Sequence, residues 1–202
     1  GDAWPAYDEV AREITAMTPE EKATLHHAGD TRVEEGVWAE CRPIVKRHGA
    51  LLSALRTAAA RRMVTVPVQE QRGHIGATAS LTPTLSGLRS ASELISASAK
   101  LKSDDGDWDG AVDEIAVGLQ TGCDLCRISP LIPFLVGRAV TGITLQAAAR
   151  ILKSPSIPVA AAGRLSRLLD RLGQEMPSLQ HAARAEGILV GESLMLLLQG
   201  KL

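Results

Sequence analysis

The sequence predicts an all-α fold of antiparallel helical hairpins, with seven or eight helices in a bundle or a short tetratricopeptide-like array. Three observations lead there. Apolar residues make up 45% of the 202 positions but aromatics only 2%. Leu, Ala, Val and Ile must therefore fill the interior, an aliphatic bias that favours helices over strands. Apolar residues also recur at helical spacing through most of the chain. Finally, helix-start signals recur along it, at Thr18-Pro19-Glu20-Glu21, Thr82-Pro83, Asp107-Trp108 and Ser129-Pro130.

Taken in order, Asp2 precedes Trp4-Pro5 and a helix running to about Met17. Thr18, Pro19 and Glu21 start a short helix that ends near Ala28-Gly29-Asp30. Thr31 and Glu34 open the next, which Pro43 breaks or restarts and which reaches about Arg62, with Gly49 only weakening its middle. Residues 63–82 show no helical periodicity and are expected to be irregular, either mobile or functional. From Thr82-Pro83, the residues Leu85, Leu88, Ile95 and Ala99 share one helical face. Asp104-Asp105-Gly106-Asp107 makes a tight turn, and Trp108, Val112, Ile115 and Leu119 form a second apolar seam. The next helix, Leu131 to Leu152, is apolar on most sides and is expected at the centre of the domain. Helices over about Val159–Glu175 and from Pro177-Ser178 to Leu198 complete the chain. The whole reads as one domain over 1–202. It has N-terminal helices at 3–62, the irregular segment 63–82 and a helical core at 83–200.

Composition excludes some classes of function. The net charge is −1, no Arg/Lys stripe stands out and few aromatics are available to stack on bases, so nucleic acid is not an expected partner. No apolar run is expected to span a bilayer. Leu131–Leu152 carries Arg138 and Arg150, and Ile188–Leu198 is short and carries Glu192. The chain opens at Gly1 without a Met, which raises the expectation of an upstream signal or membrane anchor.

The chemistry-bearing residues are few. Cys123-Asp-Leu-Cys126 is a CxxC, but it continues the seam of 108, 112, 115 and 119, which points both thiols into the core. Core cysteines, a disulfide and half of a metal site all remain open, with Cys41 as a third thiol. His26-His27 lack the i, i+4 spacing of a metal pair. His74, beside Gly73 and Gly76 in the irregular segment, is the histidine in the most function-like setting. The acidic run 104–109 lacks the spacing and closing Glu of a calcium loop. No nucleophile-elbow, zincin, phosphate-loop or dinucleotide motif occurs, and no cofactor is expected. Arg138 on the apolar helix 131–152 and Glu192 on the last helix are charges on apolar stripes. They are expected to form a buried ion pair or to line a common polar pocket.

Two resemblances add to this. Residues 94–119, through Gly106-Asp107-Trp108 and Ala111, resemble a single tetratricopeptide-like helix pair, which implies an interaction surface. More broadly, the chain resembles a group of uncharacterised bacterial all-helical proteins. The residues concerned are Asp2-Ala3-Trp4-Pro5-Ala6-Tyr7, Leu88-Arg89, Gly106-Asp107, Leu131 to Gly137 and Gly191-Glu192. Because members of that group often carry an upstream anchor or signal, the resemblance implies a helical fold and an extracytoplasmic, membrane-anchored location. It implies no mechanism. The expected function is a non-catalytic protein-interaction or scaffolding domain with a protein partner. The alternatives are a structural subunit of a larger assembly and a ligand-binding or enzyme domain with a polar pocket near Glu192 and Arg138.

Overall fold

The computed structural model describes residues 2–29, 35–61, 64–65, 73–128, 131–180, 182–184, 186–188 and 191, with the backbone only at 35 and 73–80. The described residues are helical and contain no β-strand. The helices are α1 (Trp4–Thr15), α2 (Pro19–Gly29), α3 (Glu35–Arg47), α4 (Gly49–Ala59), α5 (Gly73–Asp104), α6 (Trp108–Arg127), α7 (Leu131–Leu152) and α8 (Val159–Glu175). Helical geometry recurs at 179–180, 182–184 and 186–188. The all-α expectation is thus met.

Two of the predicted helix starts are built as expected. Thr18 and Glu21 form a reciprocal capping box. Glu21 N–H donates to Thr18 Oγ1 and Thr18 N–H to Glu21 Oε2, both at 3.2 Å. At the α5–α6 turn Gly106 takes φ +80°, a left-handed conformation that favours glycine. Asp107 then caps α6 by accepting from Gly110 N–H at 2.9 Å.

Other elements differ from expectation. Pro43 does not interrupt α3, and the chain breaks instead at His48, whose φ and ψ of −96° and 22° leave the helical region before Gly49 opens α4. Residues 73–82, expected to be irregular, form the start of the 32-residue α5, and Pro83 lies inside that helix. Pro83 is exposed, so water can offset the hydrogen bond its ring removes. The rest of the expected irregular segment lies largely outside the described residues.

The central helix is α5, not 131–152. Every residue from Ala91 to Ala99 is buried, and α5 packs against α1, α2, α3, α6 and α7. Its serines hid this role. Ser92 Oγ donates to Arg89 O at 2.6 Å and Ser96 Oγ to Ser92 O at 2.8 Å, so their hydroxyls are satisfied locally and tolerate the interior.

The helix from Leu131 to Leu152 lies instead on the flank of α5 and α6, attached by small residues. A Cβ on Gly118 of α6 would meet Thr144 Oγ1 of α7 at 2.5 Å, and one on Gly137 of α7 would meet the Gly122 carbonyl at 2.6 Å. The two backbones are therefore nearly in contact. The Thr141 and Thr144 hydroxyls turn back to the carbonyls of Gly137 and Val140, each at 2.9 Å, and need no partner across the interface. By length and composition α7 is apolar enough to cross a membrane, with mean hydropathy 1.4, although no such span was expected; 44% of that window is buried against the rest of the chain.

Urea titration checks the close approach. Gly122→Ala should lose about 1–3 kcal/mol through overpacking. Gly163→Ala, where a new Cβ meets only the Arg167 guanidinium at 3.6 Å, should be neutral or stabilising by up to about 1 kcal/mol through helix propensity. Equal effects would mean that the α6–α7 contact is not tight.

Candidate interaction surface

Helices α7 and α8 form a hairpin that opens like a V. Near the connecting turn, Ala147, Ala148 and Ile151 of α7 share a cluster with Ala161 and Leu165 of α8. Further along, α8 follows α6 rather than α7. A groove of about 870 Å³ opens between them. Leu135, Gly142 and Leu145 form one wall, Leu169 and Leu172 the other, and Met176 to Leu179 close the end. Leu135 is 52% exposed, Leu145 38% and Leu179 58%. The chain after Met176 is tied to α7 at Glu186, whose carboxylate accepts from the Leu131 N–H at 2.8 Å. An acid at the first turn of a helix suits its dipole.

Of the expected site residues, Arg138 lies in this groove and is its one charged lining residue among those described. It is exposed, not buried on a central helix as expected, because α7 turns Gly137, Thr141 and Thr144 inward and Arg138 outward. Glu192 lies outside the described residues, and so does its expected pairing with Arg138. His74 is on the first turn of α5, not in an irregular loop; its side chain is outside the described set.

Cys123 and Cys126 are both buried on α6, and Cys41 on α3, all three as free thiols. Burial pushes the Cys126 and Cys41 thiols up to about 11 and raises that of Cys123. Cys126 Sγ lies 3.6 Å from the Phe134 carbonyl, linking the end of α6 to the first turn of α7. These are poor nucleophiles and behave as small core residues. No three metal-type side chains gather among the described residues.

The buried charges fall where they were not expected. Glu114 of α6 is 0% exposed. Its Oε1 accepts from Arg56 of α4, from Lys102 Nζ at 2.9 Å and from Ser98 Oγ at 2.9 Å, while Oε2 has no partner. The two cations keep part of their side chains in solvent, so the cluster ties α4, α5 and α6 without fully desolvating them. Asp124, inside the CxxC, is also buried. Tyr7 Oη donates to its Oδ2 at 2.8 Å and Gln120 Nε2 to its Oδ1 at 2.8 Å, with Arg127 at 3.3 Å. Burial raises the Asp124 carboxyl despite these donors, and burial also raises the Tyr7 phenol. A signal for Glu114 was present in the sequence. It shares a helical face with Ala111, Gly118 and Thr121, small residues that bring neighbours close.

No protein-family model matches the chain, and no curated protein or solved structure matches it.

Two stability measurements follow. Glu114→Ala should cost about 3 kcal/mol, the scale for breaking a buried pair from one side; a loss below about 1 kcal/mol would mean that Arg56 and Lys102 hydrate freely. For Asp124 the folded carboxyl is raised above its ordinary 3.8. The charged form is thus disfavoured by folding, and the penalty applies fully above the folded value and vanishes below the ordinary one. Asp124→Asn should therefore compare better with the wild type at pH 7 than at pH 3.5 in urea titrations. The opposite order would show that the hydrogen bonds outweigh burial.

Proposed function

We propose that the chain is a non-catalytic protein-interaction or scaffolding domain that docks its partner on the α7–α8 groove. The observation that carries this is the ring of exposed leucines around the groove, Leu135, Leu145 and Leu179. Exposed apolar patches of this kind are a usual mark of a binding surface. In support, the buried carboxylates Glu114 and Asp124 are engaged by core side chains and do not line the groove. A second reading, a structural subunit of a larger assembly, is favoured by further exposed apolar residues outside the groove, Ile132, Leu152 and Val159, the last 90% exposed.

The test is differential affinity purification of the tagged chain from its native source. Wild type is compared with Leu135→Glu/Leu145→Glu and with the exposed control Glu9→Lys. Proteins retained by wild type and by the control should be lost from the double variant while its circular dichroism is unchanged. An unchanged set of retained proteins would overturn the groove as the docking surface.

A further inference from the structure

The exposed apolar side chains and the acids of this chain are kept apart. Residues 125–169 form its longest run without Asp or Glu. All seven exposed large apolar side chains among the described residues lie between 132 and 188. Five of them fall in that run: Ile132, Leu135, Leu145, Leu152 and Val159. The cations of the run divide into two sets. Arg127 pairs with Asp124 and Glu175, Arg164 pairs with Asp109 and Asp113, and Arg150 donates to the Ala28 and Gly29 carbonyls. Arg167 lines a cleft between α6 and α8. Arg138 and Lys153 are exposed, and neither has a carboxylate partner among the described residues.

These two cations lie among the leucines, not beside them. Lys153 keeps the register of α7, since its N–H still donates to Ala149 O at 3.2 Å. At about 100° per residue, Arg138 and Lys153 project within about 40° of the middle of the outward face, with Ile132 and Leu152 about 80° to either side. We propose that this band lies on the surface of a bilayer that contains anionic lipid. The inference goes beyond the interaction-domain reading and does not rest on it. Leu152 and Val159 stand outside the groove, so the two are separable.

Charge and size together select this occupant. Unpaired cations within an acid-free surface complement anionic headgroups. The band is about 30 Å long and about 10 Å across, less than the roughly 800 Å² that each partner of a standard protein interface buries. A folded partner would also need carboxylates set opposite two cations inside a leucine-matched surface. A bilayer sets neither demand. Leucines enter its apolar boundary singly, and the long Arg138 and Lys153 side chains reach back to the phosphates. Although α7 is long and apolar enough to cross a membrane, 44% of that window is buried against the chain, so it would lie in the interface by its outer side. Of the acids on neighbouring elements, Asp109 and Asp113 are held by Arg164, Glu175 by Arg127 and Glu186 by the Leu131 N–H; Asp170 of α8 is exposed.

The experiment is co-sedimentation of the full chain with phosphatidylcholine vesicles and with mixed phosphatidylcholine–phosphatidylserine vesicles. Binding to the mixed vesicles should be about 25-fold tighter, at about fivefold for each basic residue near an anionic surface. Lys153→Gln should weaken it about fivefold. Salt at about 1 M, where charges are screened beyond about 3 Å, should remove most of the preference. Leu152→Glu/Val159→Glu should abolish binding with its circular dichroism unchanged. Because the native thiols at 41, 123 and 126 are buried, Val159→Cys can carry an environment-sensitive fluorophore. Its emission should shift to the blue on mixed vesicles, and that of labelled Glu9→Cys should not. No sedimentation with mixed vesicles would overturn the inference. So would binding that survives Leu152→Glu/Val159→Glu, or equal binding to both vesicle types. A wild type that ignores vesicles, yet retains a protein that Leu152→Glu/Val159→Glu loses in affinity purification, would also overturn it, because the band would then meet protein.

Discussion

The close approach of α6 and α7 sets most of what is distinctive in this molecule. Gly118 and Gly122 on one helix and Gly137 on the other remove the side chains that would hold the backbones apart. Once they are seated, the rotation of α7 is fixed. Gly137, Thr141, Thr144, Ala147 and Ala148 face inward, and Leu135, Leu145 and Leu152 are left facing outward. In a typical amphipathic helix the apolar stripe is the buried one. Here the tighter packing of small residues competes with the burial of larger ones and wins, which leaves Leu135 and Leu145 at the surface.

The same choice shapes the opposite side of the bundle. With α7 on the flank, α5 becomes the element that α1, α2, α3, α6 and α7 all touch, and it is built to allow this. Its buried Ser92 and Ser96 bond within their own helix, so they add little volume and no unsatisfied hydroxyl. The larger polar groups are fewer and more strongly tied. Glu114 joins α6 to α4 and α5 through two cations and a serine, and Asp124 joins α6 to α1 through the Tyr7 hydroxyl. Removing one partner from such a set is costly because the remaining charge stays buried. These contacts pin helix register more than they add net stability.

The α7–α8 groove and the outer stripe of α7 are two parts of one surface. The hairpin is closed at its turn by Ala148, Ile151 and Leu165 and open at its other end, because α8 follows α6 rather than α7. An apolar surface created in this way is a by-product of good packing elsewhere.

Much of the fold was legible in residue order. The fold class, the capping box at Thr18 and Glu21, the turn at Gly106 and the cap at Asp107 depend on neighbours within a few positions, and local chemistry decides them. The inward direction of Cys123 and Cys126 was legible for the same reason, since it followed from one helical seam. The centre of the bundle, the buried carboxylates and the exposed leucines were not. Whether an apolar helix such as 131–152 is surrounded or half-exposed depends on how close its neighbours come. That distance is set by glycines on a different helix, which no periodicity within α7 reports. Likewise, Glu114 is buried only because Arg56, Ser98 and Lys102 arrive from two other helices, up to 58 positions away in the chain. By itself the sequence determined which segments are helices and where they turn. The tertiary structure alone decided which helix is surrounded and which face of α7 is inside, because that is settled by contact distances between elements and not by the pattern along any one of them.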